Sequence, residues 1–345
     1  MEKALDLHTL GMIKQRSSIS QCPSSIEAQN ITGVSEFHLL VLSEDPGLQP
    51  ILFVLFLYIY LVTLLGNMII VLAVCSDSHL HTPMYFFLSN LSLVDICYIS
   101  TTVPKMILNM QTNIGVISYG GCLTQMSLFL IFLCMDDILL TTMAYDRFVA
   151  ICYPLHYSVI MNPLLCGISI LLSFSISILD SQLQNLIALQ FTCFKDIKIS
   201  NFFCDPTQLL NLSCSLSFTA RLVMYFIDTI FGFVPISGIL FSYYKIVSTI
   251  LTFPSSSGRY KAFSTCLSHL LVVCLFYGTG IGVYLSSTVW HCPIKVVVAS
   301  LMYTVITPML NPFIYSLRNR EISSALKRLC NRTILTGDLL HQFSI

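Results

Sequence analysis

Tryptophan is nearly missing, with one copy in 345 residues, and charged side chains make up only 10% of the chain. A soluble domain carries about 25% charged residues. A water-soluble fold of this length would lack the polar surface to cover itself. The formal net charge is zero, so there is no basic field to attract nucleic acid. Residues 1–20 have no continuous apolar core, so no cleavable signal peptide is evident and the first hydrophobic span has to direct insertion. No repeat of solenoid period occurs. Neither inverted repeats nor charged pore rings appear, which argues against a transporter or channel. An intramembrane enzyme would need a paired nucleophile and base, or histidines at metal spacing. His79 and His81 form only a lone pair in a short loop. Gly278, Gly280 and Gly282 lack the strand-turn-helix context of a dinucleotide site and fit close helix packing instead. The chain is read as a non-enzyme.

Hydrophobic residues fill 55% of the chain and the mean hydropathy is +0.79. Apolar stretches near the ~20 residues needed to cross a bilayer recur. They are expected at about 51–75, 84–104, 121–145, 164–187, 219–245, 263–286 and 296–316. This predicts an all-α bundle of seven transmembrane helices over 51–317. A polar, mostly disordered tail over 1–50 precedes it, and a tail over 318–345 follows. Lysine and arginine are commoner in the loops and tail on the Arg147 side than on the opposite side, so the positive-inside rule puts the N-terminus outside and the C-terminus in the cytoplasm. Asn30-Ile31-Thr32 is a glycosylation sequon on the expected outer tail.

Fourteen cysteines are present. Cys122 stands at the outer mouth of the third span, and Cys193, Cys204 and Cys214 crowd the long loop between the fourth and fifth. In an oxidising compartment these four allow three pairings, which spacing alone does not separate.

The stretch from Met143 to Pro154 places Asp146 and Arg147 side by side at the end of a long apolar segment. A charge in mid-membrane costs about 2.5–3.5 kcal/mol on insertion scales. Arg147 either snorkels to the interface as an anchor or serves a switch. Deeper in the bundle, Asp95, Asp136 and Asn311 are expected near the membrane middle, and intramembrane carboxylates are functional candidates by default. Asp136 and Arg147 are about three helical turns apart, near one face. Asp137 is expected to face elsewhere, with no role assigned. Asp228 lies two turns before Pro235 on a similar face. It is either a hydrogen-bonding group for an alcohol or amine, or a solvated residue near the headgroups.

Six runs stand in order along the chain: Leu65-Gly66-Asn67, the run from Leu80 to Ser92 (LHTPMYFFLSNLS), Met143 to Tyr153 completed by Pro154-Leu155-His156-Tyr157, Ser242-Tyr243, Lys261 to Cys266 with Ser268-His269-Leu270, and Pro308 to Asn319. Together they resemble the olfactory (odorant) receptors of the rhodopsin-like G protein-coupled receptor superfamily, in their tetrapod class. The resemblance covers roughly residues 30–329. It implies a multi-pass plasma-membrane receptor, sited in sensory-neuron cilia. A small volatile ligand would bind in the outer half of the bundle, and a stimulatory G protein α subunit would raise cyclic AMP. The nearest alternative is a receptor of the same superfamily for a non-odorant small molecule outside the nose.

The resemblance also implies disulfides Cys122–Cys204 and Cys193–Cys214. It gives Asp146, Arg147, Tyr243 and Tyr315 a role in G-protein coupling. It puts a ligand pocket at Phe129, Leu130, Leu133, Cys134, Tyr277, Ile281 and Tyr284, with Asp228 as the odd member. It suggests a sodium ion at Asp95 and Asp136, for which a water-mediated network with one protonated carboxyl is the alternative; no other cofactor or metal is expected. Departures exist: Phe174 replaces the family's usual tryptophan, and the first tail is about twenty-five residues longer than usual.

Overall fold

The computed structural model describes residues 31–43, 45–191, 193–214, 218–285, 293–318 and 321–328. Among them are seven helices long and apolar enough to cross a membrane. They are α1 (Gln49–Ser76), α2 (Pro83–Thr112), α3 (Tyr119–Cys152), α4 (Pro163–Ala188), α5 (Phe218–Leu251), α6 (Ser256–Leu285) and α7. Helix α7 runs over Pro293–Leu301, takes a π-helical turn at Met302–Ile306 and continues over Thr307–Arg318. A further helix, labelled α8, covers 321–328, and two short helices, Tyr157–Ile160 and Pro206–Leu212, lie between spans.

Local chemistry sets many of the ends. Proline opens α2 and α4, where a missing N–H costs nothing. The Gly121 N–H donates to Ser118 Oγ at 3.1 Å at the start of α3, and the Leu165 N–H donates to Asn162 Oδ1 at 2.9 Å at the start of α4. Asn113 stops α2 by turning left-handed, at φ 55°.

The helices outrun the expected spans. Helix α3 continues to Cys152, α5 to Leu251 and α2 to Thr112, while α6 begins at Ser256. A hydropathy window stops where residues turn polar, but backbone hydrogen bonding continues past the hydrocarbon.

The expectation of a disordered first tail is corrected for its described end. Strand β1 (Ile31–Thr32) pairs antiparallel with β4 (Cys193–Phe194). Strand β2 (Glu36–Leu39) lies between β3 (Val116–Ser118), antiparallel, and β5 (Lys198–Ile199), parallel. Its alternation is strict: Phe37 and Leu39 are buried while Glu36 and His38 are exposed. Phe37 meets Phe194 edge to face at 5.1 Å.

Large apolar side chains on the outside of the bundle, such as Tyr58 and Leu65 on α1, Leu171 on α4 and Phe233 on α5, are exposed, as lipid contact requires. Two large apolar clusters fill much of the interior, and a smaller one gathers Ile246, Ile250 and Cys266. The first large cluster gathers Phe37, Tyr98, Phe129, Phe194, Phe202 and Phe203 near the disulfides. The second gathers Leu91, Leu139, Met143, Val272 and Tyr315 toward Arg147. Helices α1 and α7 touch closely at Gly66, where an added Cβ would stand 3.2 Å from Pro312 Cβ. Gly66→Leu should therefore separate them and cost about 1–3 kcal/mol by overpacking. Thermal unfolding of the detergent-purified variant would read the loss, and an unshifted transition would show that the contact yields freely.

Candidate functional site

At the Arg147 end, Asp146 is fully buried. Arg147 donates to its Oδ2 twice, from Nε at 3.0 Å and from an Nη. The second carboxylate oxygen accepts from Tyr157 Oη at 2.7 Å. Tyr157 lies in the short helix Tyr157–Ile160 between α3 and α4. Burial first, and the Asp146 carboxylate second, hold its hydroxyl above the usual tyrosine range. In the sequence Tyr157 stands eleven residues beyond its partner, with only the Pro154-Leu155-His156-Tyr157 run to mark it. Asp146 thus carries a latch of two donors.

Above it, Tyr243 on α5 lies 2.7 Å from His269 Nδ1, and the His269 Nε2 lies 3.0 Å from the Leu140 carbonyl on α3. The carbonyl only accepts, so Nε2 carries the imidazole proton and donates it, while Nδ1 accepts a hydrogen bond from the Tyr243 hydroxyl. His269 is buried, its ring stacked on Tyr243 at 5.8 Å. It joins three helices, and the Ser268-His269-Leu270 run was its only signal in the sequence. Tyr315 is buried, with no hydrogen-bond partner for its hydroxyl among the described residues.

In the middle of the bundle, Asn311 Nδ2 donates to both oxygens of Asp95, at 3.1 and 2.9 Å. Asp95, Asp136 and Asn311 line one small cavity with Tyr98, Phe276, Tyr303 and Thr307. Asp136 Oδ1 is buried without a partner. Two carboxylates with an unused oxygen suit a hard cation. Asp137, for which no role was expected, is also buried and accepts from Tyr277 Oη on α6. This α3–α6 bond joins residues far apart in sequence, so spacing could not announce it.

The expected pocket residues do not all converge. Phe129 packs between Tyr98 at 5.2 Å and Phe203 at 4.9 Å, with Leu130 buried in the same cluster. Leu133 is partly buried against both clusters, and Cys134 is buried. Ile281 is a correction: it is 54% exposed and faces away from the bundle. The buried stripe of α6 passes through His269, Val272, Val273 and Phe276 to Gly280, which faces the Tyr303 ring. At about 100° per residue, Ile281 falls well round from that stripe. The side chain of Tyr284 lies outside the described residues, as does Asn30. Asp228 faces α4, where its Oδ1 accepts from Gln184 Nε2 at 3.0 Å. It is therefore a bonded member of the α4–α5 seam, neither between α3, α5 and α6 nor merely solvated.

Near the disulfides, Cys122 is bonded to Cys204 and Cys193 to Cys214. The Cys204 N–H also donates to Gln125 Oε1 at 3.0 Å, and Asn201 Nδ2 donates to Ser300 Oγ at 3.0 Å, which ties the long loop to α3 and α7. At the other end, Arg328 Nε donates to Asp77 Oδ2 at 2.8 Å and Tyr85 Oη to Glu321 Oε2 at 2.7 Å, fixing α8 beneath α1 and α2. The Arg328 hydrogen bond holds the Asp77 carboxyl below its usual range.

A family model described as olfactory receptor matches residues 56–332. Olfactory receptor 7E24 of Homo sapiens is 70% identical over 325 residues, 94% of this chain and 96% of the relative. Olfactory receptor 7E178 of Mus musculus is 64% identical over 330 residues, 96% of this chain and 100% of the relative. The crystal structure of squid rhodopsin superposes with a TM-score of 0.67 at 17% identity, covering 86% of this chain and 91% of that one, a likeness of fold.

Proposed function

From the premise that the chain belongs to the olfactory receptor family of G protein-coupled receptors, we propose that a volatile ligand near Phe129, Leu130, Leu133, Cys134 and Tyr277 opens the Asp146–Arg147 latch to a stimulatory G protein. The protein is an odorant receptor and not an enzyme, set in a membrane by seven spans, with a small molecule and a G protein as its partners. The finer reading concerns direction and route. The disulfide end faces outside, where oxidation persists, and the Arg147 end faces the cytoplasm. Ligand contact shifts Tyr277, whose hydroxyl is held by Asp137. Helix α6 carries that shift to His269 and Tyr243, beside α3. Arg147 then exchanges Asp146 for the G protein, and Tyr243 and Tyr315 turn their hydroxyls inward. Asp95 and Asp136 would hold a sodium ion, which supplies charge balance between two carboxylates. The ligand-binding end of the protein lies at the surface of sensory cilia.

The observation that carries this reading is the doubly held Asp146, a discrete arrangement that a partner can replace. A cyclic-AMP reporter in cells expressing the chain, challenged with a volatile panel, tests it. Arg147→Ala should be silent at normal surface level. Tyr157→Phe should raise ligand-free signal about fivefold, since one net hydrogen bond is worth about 1 kcal/mol. A response that bypasses cyclic AMP would reassign the G protein class. An unchanged basal signal in Tyr157→Phe would remove the second donor from the latch.

A further inference from the structure

Two carboxylates meet one carboxamide on the seam between α4 and α5. Gln184 Nε2 donates to Asp228 Oδ1 at 3.0 Å and to Asp180 Oδ1 at 3.3 Å. Asp180 and Gln184 are buried at 3% and 2% exposure, while Asp228 is exposed and forms the open side. Gln184 Oε1, on that same buried carboxamide, has no hydrogen-bond partner. By helix rise, Asp180 lies about 12 Å from the Ala188 end of α4 and Asp228 about 15 Å from the Phe218 end of α5, so both sit in one layer. That layer is within the span. A single unpaired carboxylate at such a depth is costly, and two with only a neutral amide between them repel each other as well. No lysine or arginine is bonded to either one among the described residues.

We infer that the Asp180–Gln184–Asp228 cluster binds a protonated amine, and that ligands of this receptor include primary alkylamines. This rests on the small-molecule receptor reading above. An ammonium head presents three donors and no acceptor. Asp180 and Asp228 supply two acceptors and the orphan Gln184 Oε1 a third. A metal ion fits less well. Calcium takes six to eight oxygens, and the softer transition metals prefer imidazole or thiolate, which the cluster lacks. The short aliphatic tail of an amine finds exposed apolar surface at Leu183 on α4 and Tyr225 on α5, each three residues from one of the carboxylates. The charge-assisted contact is the specificity element, because a neutral alcohol of the same shape cannot relieve the repulsion between the carboxylates.

The test uses the full chain in nanodiscs with butylamine, hexylamine and phenethylamine, each against the matched alcohol, and reads the unfolding temperature over a concentration series. Bound ligand raises that temperature by mass action. The amines should stabilise and the alcohols should not. Asp228→Asn keeps an acceptor for Gln184 but removes the charge, so it should weaken amine binding roughly ten- to a hundredfold. Asp228→Glu should keep most of it, which separates loss of charge from loss of fold. Asp180→Asn should act in the same direction as Asp228→Asn. Equal stabilisation by alcohols, no shift with any amine, or amine binding unaltered in both Asn variants overturns the proposal. The same compounds in the cyclic-AMP assay separate the two readings. Neutral volatiles that signal while amines neither bind nor signal leave the receptor reading standing and sink this one. Amines that stabilise the purified chain without raising cyclic AMP leave the ammonium site standing and sink the coupling.

Discussion

Cells expressing Cys122→Ser or Cys204→Ser should carry no receptor at their surface. The bond closes a loop with a sequence separation of 82 residues, against 21 for Cys193–Cys214. In the chain-entropy picture a loop of the longer size is worth about 4–5 kcal/mol and the shorter about 3 kcal/mol. The difference in consequence is larger than that difference in entropy. Cys122 and Cys204 are completely buried among Phe37, Met126, Phe129, Phe202 and Phe203, so either substitution also leaves one thiol and one serine hydroxyl in a packed aromatic core. Cys193 is only half buried. Surface staining against total protein should therefore fall to background for the first pair and only partly for Cys193→Ser or Cys214→Ser. Normal trafficking of both Cys122→Ser and Cys204→Ser would show that the loop is held by its other ties, from Cys204 N–H to Gln125 and from Asn201 to Ser300.

Asp146→Ala should be the most damaging single change at the opposite end. It strips Arg147, whose side chain is only 15% exposed, of its counter-charge and leaves Tyr157 without its acceptor. Breaking a buried pair by removing one partner costs about 3–5 kcal/mol. That is a large part of a typical folding free energy. Asp146→Asn, which keeps an oxygen for Tyr157, should cost less and should signal without ligand, because the neutral amide holds the guanidinium weakly. Thermal unfolding of purified protein and basal cyclic AMP, read on the same variants, check both statements. Asp146→Ala as stable as the parent would mean that Arg147 finds water or headgroups as an adequate substitute, the snorkelling arrangement.

The sequence made some of these elements legible and hid others for physical reasons. Hydropathy marks membrane spans because the bilayer selects for it, so all seven helices were found. The first and fourth were bounded within two residues, but the inner ends of α3 and α6 were not, since the turns from Tyr145 to Cys152 and from Ser256 to Phe263 lie beyond the apolar window. Asp146 and Arg147 were legible because they are adjacent. Their third member, Tyr157, comes from across a turn, and Asp137 with Tyr277 joins helices three and six. Asp137 looked idle only because adjacent helical residues point about 100° apart, which says nothing about which neighbour each meets. Ile281 came from the resemblance, which carries a neighbourhood but not an angle: at about 100° per residue it falls off the buried stripe of α6. Asp228 was suspected from its helix face, but its partner Gln184 belongs to α4, whose polar face had not been weighed.

Strand β2 has a consequence for the time course of biogenesis. His38 is made early, yet its parallel partner Lys198 lies at the far side of four spans. At about 5–20 residues per second, roughly ten to thirty seconds separate the two on the ribosome. Val116–Ser118 can cover one edge partway through, but the edge facing β5 presents bare N–H and C=O groups for the whole interval, a template for unwanted pairing. One stitch of this receptor thus spans four helices and begins from a strand made before any of them. A chaperone that shields Glu36–Leu39 until Lys198 emerges would govern how many copies mature.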